Sequence, residues 1–331
     1  MARTVLITGI TGFAGSHLAE RFVSDGDVVH GLAHEDPPHP HLAAVADGLV
    51  IHRGNILDIA AVTAALAAAH PDAVVHLAAQ AVPTLAARDP VSAVRVNVLG
   101  TATLLAALDA HPDVRLVMAS SADVYGAPDS ELVDEDAPLR PANVYAATKV
   151  ASEALVREFG DRRRAATTVL RPANQIGPRQ HPGLAASAFA KQIAEAEAGI
   201  AEAVVKHGVL DARRDFLDVR DMAAAYALAT DITEAGTAVY NVGSGQAVAI
   251  ADILEMLIGL ARVPVRAEFD PLRVRSGEPT AFALDARRFR QRTGWAPRID
   301  LRTSLADTLE WWRGQVKAEA GVGAPGRGAT A

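Results

Sequence analysis

The start of the chain most constrains what it can fold into. Residues 4–8 read Thr-Val-Leu-Ile-Thr, β-branched and apolar, the pattern of a strand buried on both faces. Gly9-Ile10-Thr11-Gly12-Phe13-Ala14-Gly15 follows at once, and a helical pattern runs from Ser16 to Ser24. Glycines at 9, 12 and 15 let the backbone turn tightly and approach a pyrophosphate. The free N–H groups and dipole of a helix N-terminus attract such an anion. The spacing is Gly-x-x-Gly-x-x-Gly, not Gly-x-Gly-x-x-Gly. A plain tight turn would use the same glycines, but their place between a buried strand and a helix favours nucleotide binding.

The alternation continues. Strand patterns at 27–32, 48–52, 73–77, 114–119 and 166–170 are separated by helical patterns at 59–69, about 91–110 and 144–159. This predicts an α/β doubly wound parallel sheet of the Rossmann kind. The second strand ends Leu32-Ala33-His34, with Glu35 and Asp36 after it. A carboxylate at that tip would bind a ribose 2′-hydroxyl. None stands at the tip itself, so the expected cofactor is NADP in preference to NAD. His34, His39 and His41 sit in a proline-rich loop, which reads as solvated chain beside the adenosine, not as a metal site. The fourth strand ends in Leu77-Ala78-Ala79-Gln80, whose small residues let a flat ring or phosphate lie close.

Tyr145 precedes Lys149 by four residues, which on a helix places them on one face. A tyrosine pKa near about 10 must fall by roughly three units, ~4 kcal/mol, to populate tyrosinate at neutral pH, and a nearby cation can supply that. Ser120 and Ser121 stand at the C-terminal end of the fifth strand, where ligands bind in open α/β sheets. Residues 127–143, acidic and proline-bearing, read as a surface loop leading to the Tyr145 helix.

Composition excludes other classes. The chain has 331 residues, no cysteine and a net charge of −7. That argues against disulfides, thiol chemistry and Cys-ligated metal, and makes nucleic acid an unlikely partner. The start lacks signal-peptide regions and no apolar run reaches about 18 residues without a charge, so no membrane span and a cytoplasmic location are expected.

Several motifs appear in order: Gly-x-x-Gly-x-x-Gly at 9–15, His-Leu-Ala-Ala at 76–79, Asn97, Ser-x-x-Val-Tyr-Gly at 121–126 and Tyr-x-x-x-Lys at 145–149. Together they resemble the extended short-chain dehydrogenases/reductases that act on nucleotide sugars. Arg171-Pro172-Ala173-Asn174-Gln175-Ile176-Gly177-Pro178 and the stretches 210–221, 240–245 and 293–297 are similar to GDP-4-keto-6-deoxy-mannose reductases and GDP-mannose 4,6-dehydratases.

The resemblance implies NADP or NAD as cofactor and a nucleotide sugar as substrate. It implies Ser121, Tyr145 and Lys149 as the catalytic set, with Asp123 beside them. Tyr145 would exchange a proton with the sugar oxygen. Lys149 would hold the nicotinamide ribose and lower the Tyr145 pKa. Gly9, Thr11, Gly12, Phe13, Ala14, Gly15, His34, Asn55, Ile56, Leu77, Ala78, Ala79 and Pro172 would surround the cofactor. Gln80, Val82, Asn174, Lys191, Arg214, Arg275 and Glu278 would join Ser121 and Asp123 around the sugar nucleotide.

Dehydratases carry an acid–base pair directly after the catalytic hydroxyl, where this chain has Ala122 and Asp123. Reduction of a C4 ketone is therefore expected ahead of a 4-epimerase or 4,6-dehydratase activity, and well ahead of a non-catalytic sensing role. Other departures are Ala173 for an aromatic, Asn55 for an Asp at the adenine, Val209 for an Asn, and His34 for a phosphate-binding Arg. The resemblance also implies a dinucleotide-binding domain over 1–171, partly rejoined by 215–242. A smaller interleaved α/β substrate lobe would span 172–214 and 243–317; separately, the Gly-, Ala- and Pro-rich composition of 318–331 predicts a disordered tail. A homodimer would form through helices near 91–110 and 144–159.

Overall fold

The computed structural model describes residues 2–274 and 281–322. In chain order the first half runs β1 (Thr4–Thr8), α1 (Phe13–Ser24), β2 (Val28–Ala33), β3 (Leu49–Arg53), α2 (Ile59–Ala69) and β4 (Ala73–His76). It continues with α3 (Pro83–Arg88), α4 (Pro90–Val94), α5 (Gly100–Leu108), β5 (Arg115–Ala119), β6 (Leu132–Val133), α6 (Val144–Arg163) and β7 (Ala166–Pro172). Then come β8 (Asn174–Ile176), α7 (Ala185–Glu197), β9 (Val204–His207), β10 (Arg213–Asp218), α8 (Val219–Ala229) and β11 (Gly236–Val242). The chain closes with β12 (Ala247–Ala249), α9 (Ile250–Ile258), β13 (Arg266–Phe269), β14 (Ala281–Leu284), α10 (Arg287–Thr293) and α11 (Leu301–Val322).

Seven strands form the main sheet in the order β11-β7-β5-β4-β1-β2-β3. Every pairing in it is parallel. The direction of travel reverses between β1 and β4, the crevice where doubly wound sheets bind ligands. In β1, Val5 and Ile7 enter one core and Leu6 the other, the period-2 alternation of a strand covered on both faces. One core adds Leu18 and Phe22 of α1, the other Leu66, Leu104, Val156 and Phe159. The smaller lobe has its own core of Phe189, Ile193, Ile253, Leu257, Leu305, Leu309 and Trp312. Its sheet runs β12-β10-β14-β6 with β8 also paired to β10, and β9 pairs with β13 separately.

Caps set the helix starts. Asp58 accepts from the Ala60 and Ala61 amides at 2.9 and 3.4 Å, and Asn143 accepts from the Ala146 amide at 2.8 Å. Helix α1 begins differently: Gly12 is its N-cap and no side chain closes its first turn.

The structure departs from expectation in three places. The helix expected near 91–110 is split by a π turn over Arg95–Leu99, which contains the buried Asn97. Pro90–Leu108 is long and apolar enough to cross a membrane by length and composition, yet 44% of that span is buried, with Leu104, Leu105 and Leu108 in the core. The loop at 127–143 is not all surface: Val133 is buried, and Leu132 and Val133 pair with Ala283 and Leu284. Finally, α11 continues as helix to Val322, past the point where order was expected to end.

Candidate active site

The glycine turn lies against the end of β4. Gly9 has φ 73°, and a Cβ there would stand 2.8 Å from the Ala78 backbone. A Cβ on Gly15 would overlap the Gly9 carbonyl. Glycine is therefore required at both positions. The turn opens into a crevice of about 220 Å³ lined by Gly9, Thr11, Gly12, Leu32–Glu35, Gly54–Ile56, Leu77–Ala79 and Val96. The uncapped amides of α1 and a backbone that only glycine permits fit a dinucleotide pyrophosphate. Most of the expected cofactor residues meet here. Phe13 instead packs edge-on to His17 at 5.9 Å, and Ala14 packs against the core. Pro172 ends β7 in the buried interior.

The adenosine end also carries an acidic side chain. Glu35 lies beyond the tip of β2 but reaches back, accepting a hydrogen bond from Thr11 Oγ1 at 3.0 Å. A carboxylate thus does line the crevice. His34 stands beside it, exposed, with Nδ1 3.4 Å from Glu35 Oε2. Asn55 uses its side-chain oxygen to accept from the Leu57 amide at 3.0 Å.

The reaction centre assembles from the end of β5 and the first turns of α6. Tyr145 and Lys149 are both buried. The Ser121 hydroxyl lies near enough to the Tyr145 phenol to lower its pKa, and it accepts from the Asp123 amide at 3.1 Å. Lys149 donates to the Ala119 carbonyl at 2.8 Å, and its Nζ lies 5.9 Å from the Tyr145 ring centre.

The electrostatics overturn one expected effect. Burial raises the Tyr145 pKa, the Asp123 carboxylate raises it further, and Ser121 only partly opposes them. Lys149 does not bring the phenol down; burial lowers its own pKa to about 8, against the pull of Glu153. Within the protein itself the pair is therefore a protonated phenol beside a weakened ammonium.

Two buried polar chains hold this centre. In the first, Asn97 Nδ2 donates to Thr148 Oγ1 at 2.8 Å, and Asn97 Oδ1 accepts from the Gln80 amide at 2.7 Å. Thr101 donates to the Asn97 carbonyl at 2.6 Å, and His76 bridges Thr8 and Thr101 at 2.8 and 3.0 Å. Burial, with Lys149 nearby, lowers the His76 pKa to about 3, so the ring stays neutral. In the second, Glu153 pairs with Arg171 at 2.7 Å, and Arg171 donates to the Tyr125 hydroxyl at 2.9 Å. Glu153 stands four residues after Lys149, a spacing visible in the sequence that could have exposed it.

The expected substrate residues are more dispersed. Gln80 is tied by its backbone to Asn97, and Val82 is buried before α3. Asn174 donates to the Asp215 carbonyl at 3.2 Å. Lys191 pairs with Glu195 and lies 5.7 Å from the Trp312 ring centre. Arg214 on β10 donates to the Arg213 carbonyl at 2.9 Å. Arg275 and Glu278 lie outside the described residues. Arg179, next after the Arg171–Pro178 stretch, grips α1 through Ser16 at 3.1 Å and through Glu20.

A doubly wound sheet, a glycine cradle at its switch point and a Ser–Tyr–Lys centre at the end of β5 define an NAD(P)-dependent enzyme of the extended short-chain dehydrogenase/reductase class. The family model described as GDP-mannose 4,6 dehydratase matches residues 6–308. GDP-6-deoxy-D-mannose reductase of Pseudomonas aeruginosa is 34% identical over 96% of this chain and 100% of its own length. The structure of RMD from Pseudomonas aeruginosa complexed with NADPH superposes with TM-score 0.81 at 32% identity, covering 95% of this chain and 100% of that one. Thermus thermophilus UDP-glucose 4-epimerase in complex with NAD gives TM-score 0.83 at 29% identity, covering 94% of this chain and 99% of that one. The chain belongs to the GDP-mannose 4,6-dehydratase family.

Proposed function

We propose that this protein reduces the C4 ketone of a nucleoside-diphosphate 4-keto-6-deoxyhexose, with a guanosine diphosphate sugar as the favoured substrate. The observation that carries the reading is the buried Ala122 directly after Ser121, which has no proton to give or take, beside the buried Tyr145 phenol. The bound nicotinamide supplies the hydride. Ser121 donates a hydrogen bond to the ketone oxygen and fixes it, and Tyr145 passes its proton to that oxygen as negative charge develops. Lys149 holds the nicotinamide ribose hydroxyls. Loss of water from the sugar would need a second acid–base group next to Ser121, where Ala122 stands.

At the nucleotide end, Arg214 would hold the diphosphate, with Asn174, Gln80, Val82 and Lys191 around the sugar. Glu35 at the adenosine end favours the ribose 2′-hydroxyl over a 2′-phosphate, so NADH is the preferred reductant. The apolar span at Pro90–Leu108 leaves Val91, Val94 and Leu99 exposed. That supports a homodimer through this face and α6.

A retained-cofactor 4-epimerase is the second reading, favoured by the carboxylate at Glu35 and the likeness to an NAD-bound epimerase. Mixing the protein with reduced nicotinamide and GDP-4-keto-6-deoxymannose separates the two. Loss of one reduced nicotinamide per sugar supports reduction. Isomerisation of a sugar nucleotide with no net cofactor change contradicts it.

A further inference from the structure

Three consecutive residues at the end of β5 are each joined to α6. The Ala119 carbonyl takes Lys149, the Ser120 hydroxyl donates to Glu153 Oε1 at 2.5 Å, and the Ser121 hydroxyl faces Tyr145. Tyr145, Lys149 and Glu153 recur every four residues, so they form one buried stripe along α6. Glu153 is the anchor of that stripe. Its Oε1 also accepts from Arg171 Nε at 3.0 Å, and its Oε2 accepts from Arg171 Nη2 at 2.7 Å. The ion pair is almost wholly enclosed, with the two side chains 1% and 2% exposed.

A buried ion pair adds little stability over apolar side chains of the same shape. Stability alone therefore does not account for a carboxylate one helical turn from Lys149. We propose that Glu153 is a positioning residue for the reaction: it fixes the end of β5 against α6 through Ser120 and sets a fixed carboxylate one helical turn from Lys149. Arg171 and Ser120 hold the carboxylate in place, so its negative charge stays fixed near an ammonium that burial would otherwise discharge. The titratable and charged groups around Lys149 are Tyr145 and Glu153 on α6, His76 on β4, Asp123 after β5, and Arg171 on β7 behind Glu153. His76 is neutral, and Glu153 is the anion that opposes the loss of the Lys149 proton.

The inference rests on Lys149 binding the nicotinamide ribose, not on the identity of the sugar, so its test uses cofactor alone. The dissociation constant of NADH is measured by nicotinamide fluorescence across neutral to alkaline pH. Wild-type affinity should fall as Lys149 loses its proton, and Lys149→Met should remove that dependence. Glu153→Gln should move the midpoint down by about one pH unit, the scale of a single nearby charge. Because Glu153→Gln leaves Arg171 buried without its partner, the double variant Glu153→Gln/Arg171→Met is measured as well, and its midpoint should also move down. An unchanged or raised midpoint in a folded variant overturns the proposal. So does failure of both variants to fold, which would make the pair a structural element only.

Discussion

The Asp123 carboxylate acts through space on the Tyr145 phenol, and after burial of the ring it is the next cause that raises the affinity of that phenol for its proton. Reduction needs the phenol protonated, so the rate should fall only where pH rises through the Tyr145 pKa. Asp123→Asn removes the like charge and lowers that pKa. The alkaline limb of kcat, measured at saturating cofactor, should then move to lower pH by about one unit. A limb that stays in place would remove Asp123 from this role.

Tyr145→Phe deletes the proton donor but keeps the ring that packs beside α3 and α4. Turnover should drop by roughly 10²–10⁴-fold, the usual worth of one acid–base group, while NADH affinity changes little. Near-normal turnover in this variant would mean that another group delivers the proton.

On the proposed reading, Glu35 would select between NAD and NADP. Its carboxylate, accepting from Thr11, would repel a 2′-phosphate and accept a hydrogen bond from a 2′-hydroxyl. NADH should bind at least about tenfold more tightly than NADPH, a difference of ~1.4 kcal/mol. Glu35→Ala should narrow the ratio, chiefly by improving NADPH binding. Equal affinities in the wild type would contradict this.

Arg179 has φ 73°, a left-handed backbone that favours glycine, and is held there by Ser16 and Glu20. Arg179→Ala loses those bonds and keeps the strained backbone, so it should cost ~1–2 kcal/mol of stability. Arg179→Gly loses the same bonds but relieves the backbone, and should cost about 1 kcal/mol less. Urea unfolding of the two variants gives the order, and a less stable glycine variant would show that the backbone is unstrained.

Much of this was legible before the fold. β1, the glycine turn and α1 were plain, because a strand buried on both faces and an uncapped helix start leave local signals. Tyr145 and Lys149 were plain because helical spacing joins them. The two-residue β6 was not, because its partner β14 lies about 150 residues away and nothing local marks the pairing. The contact of Glu35 with Thr11 was not legible either, because it depends on how the chain beyond β2 folds back. The direction of the Tyr145 shift was also hidden, since burial and Asp123 act through space and only the packed site brings them together.

The central claim is that hydride leaves the cofactor for good and arrives at the sugar. NADH carrying deuterium at nicotinamide C4 tests it most directly, with product analysed by mass and NMR after reaction with GDP-4-keto-6-deoxymannose. The account predicts one deuterium on sugar C4 for each NADH oxidised, and its near-absence from the product of Tyr145→Phe. A product without deuterium, or label that stays on the protein-bound cofactor while a sugar is epimerised, would contradict it.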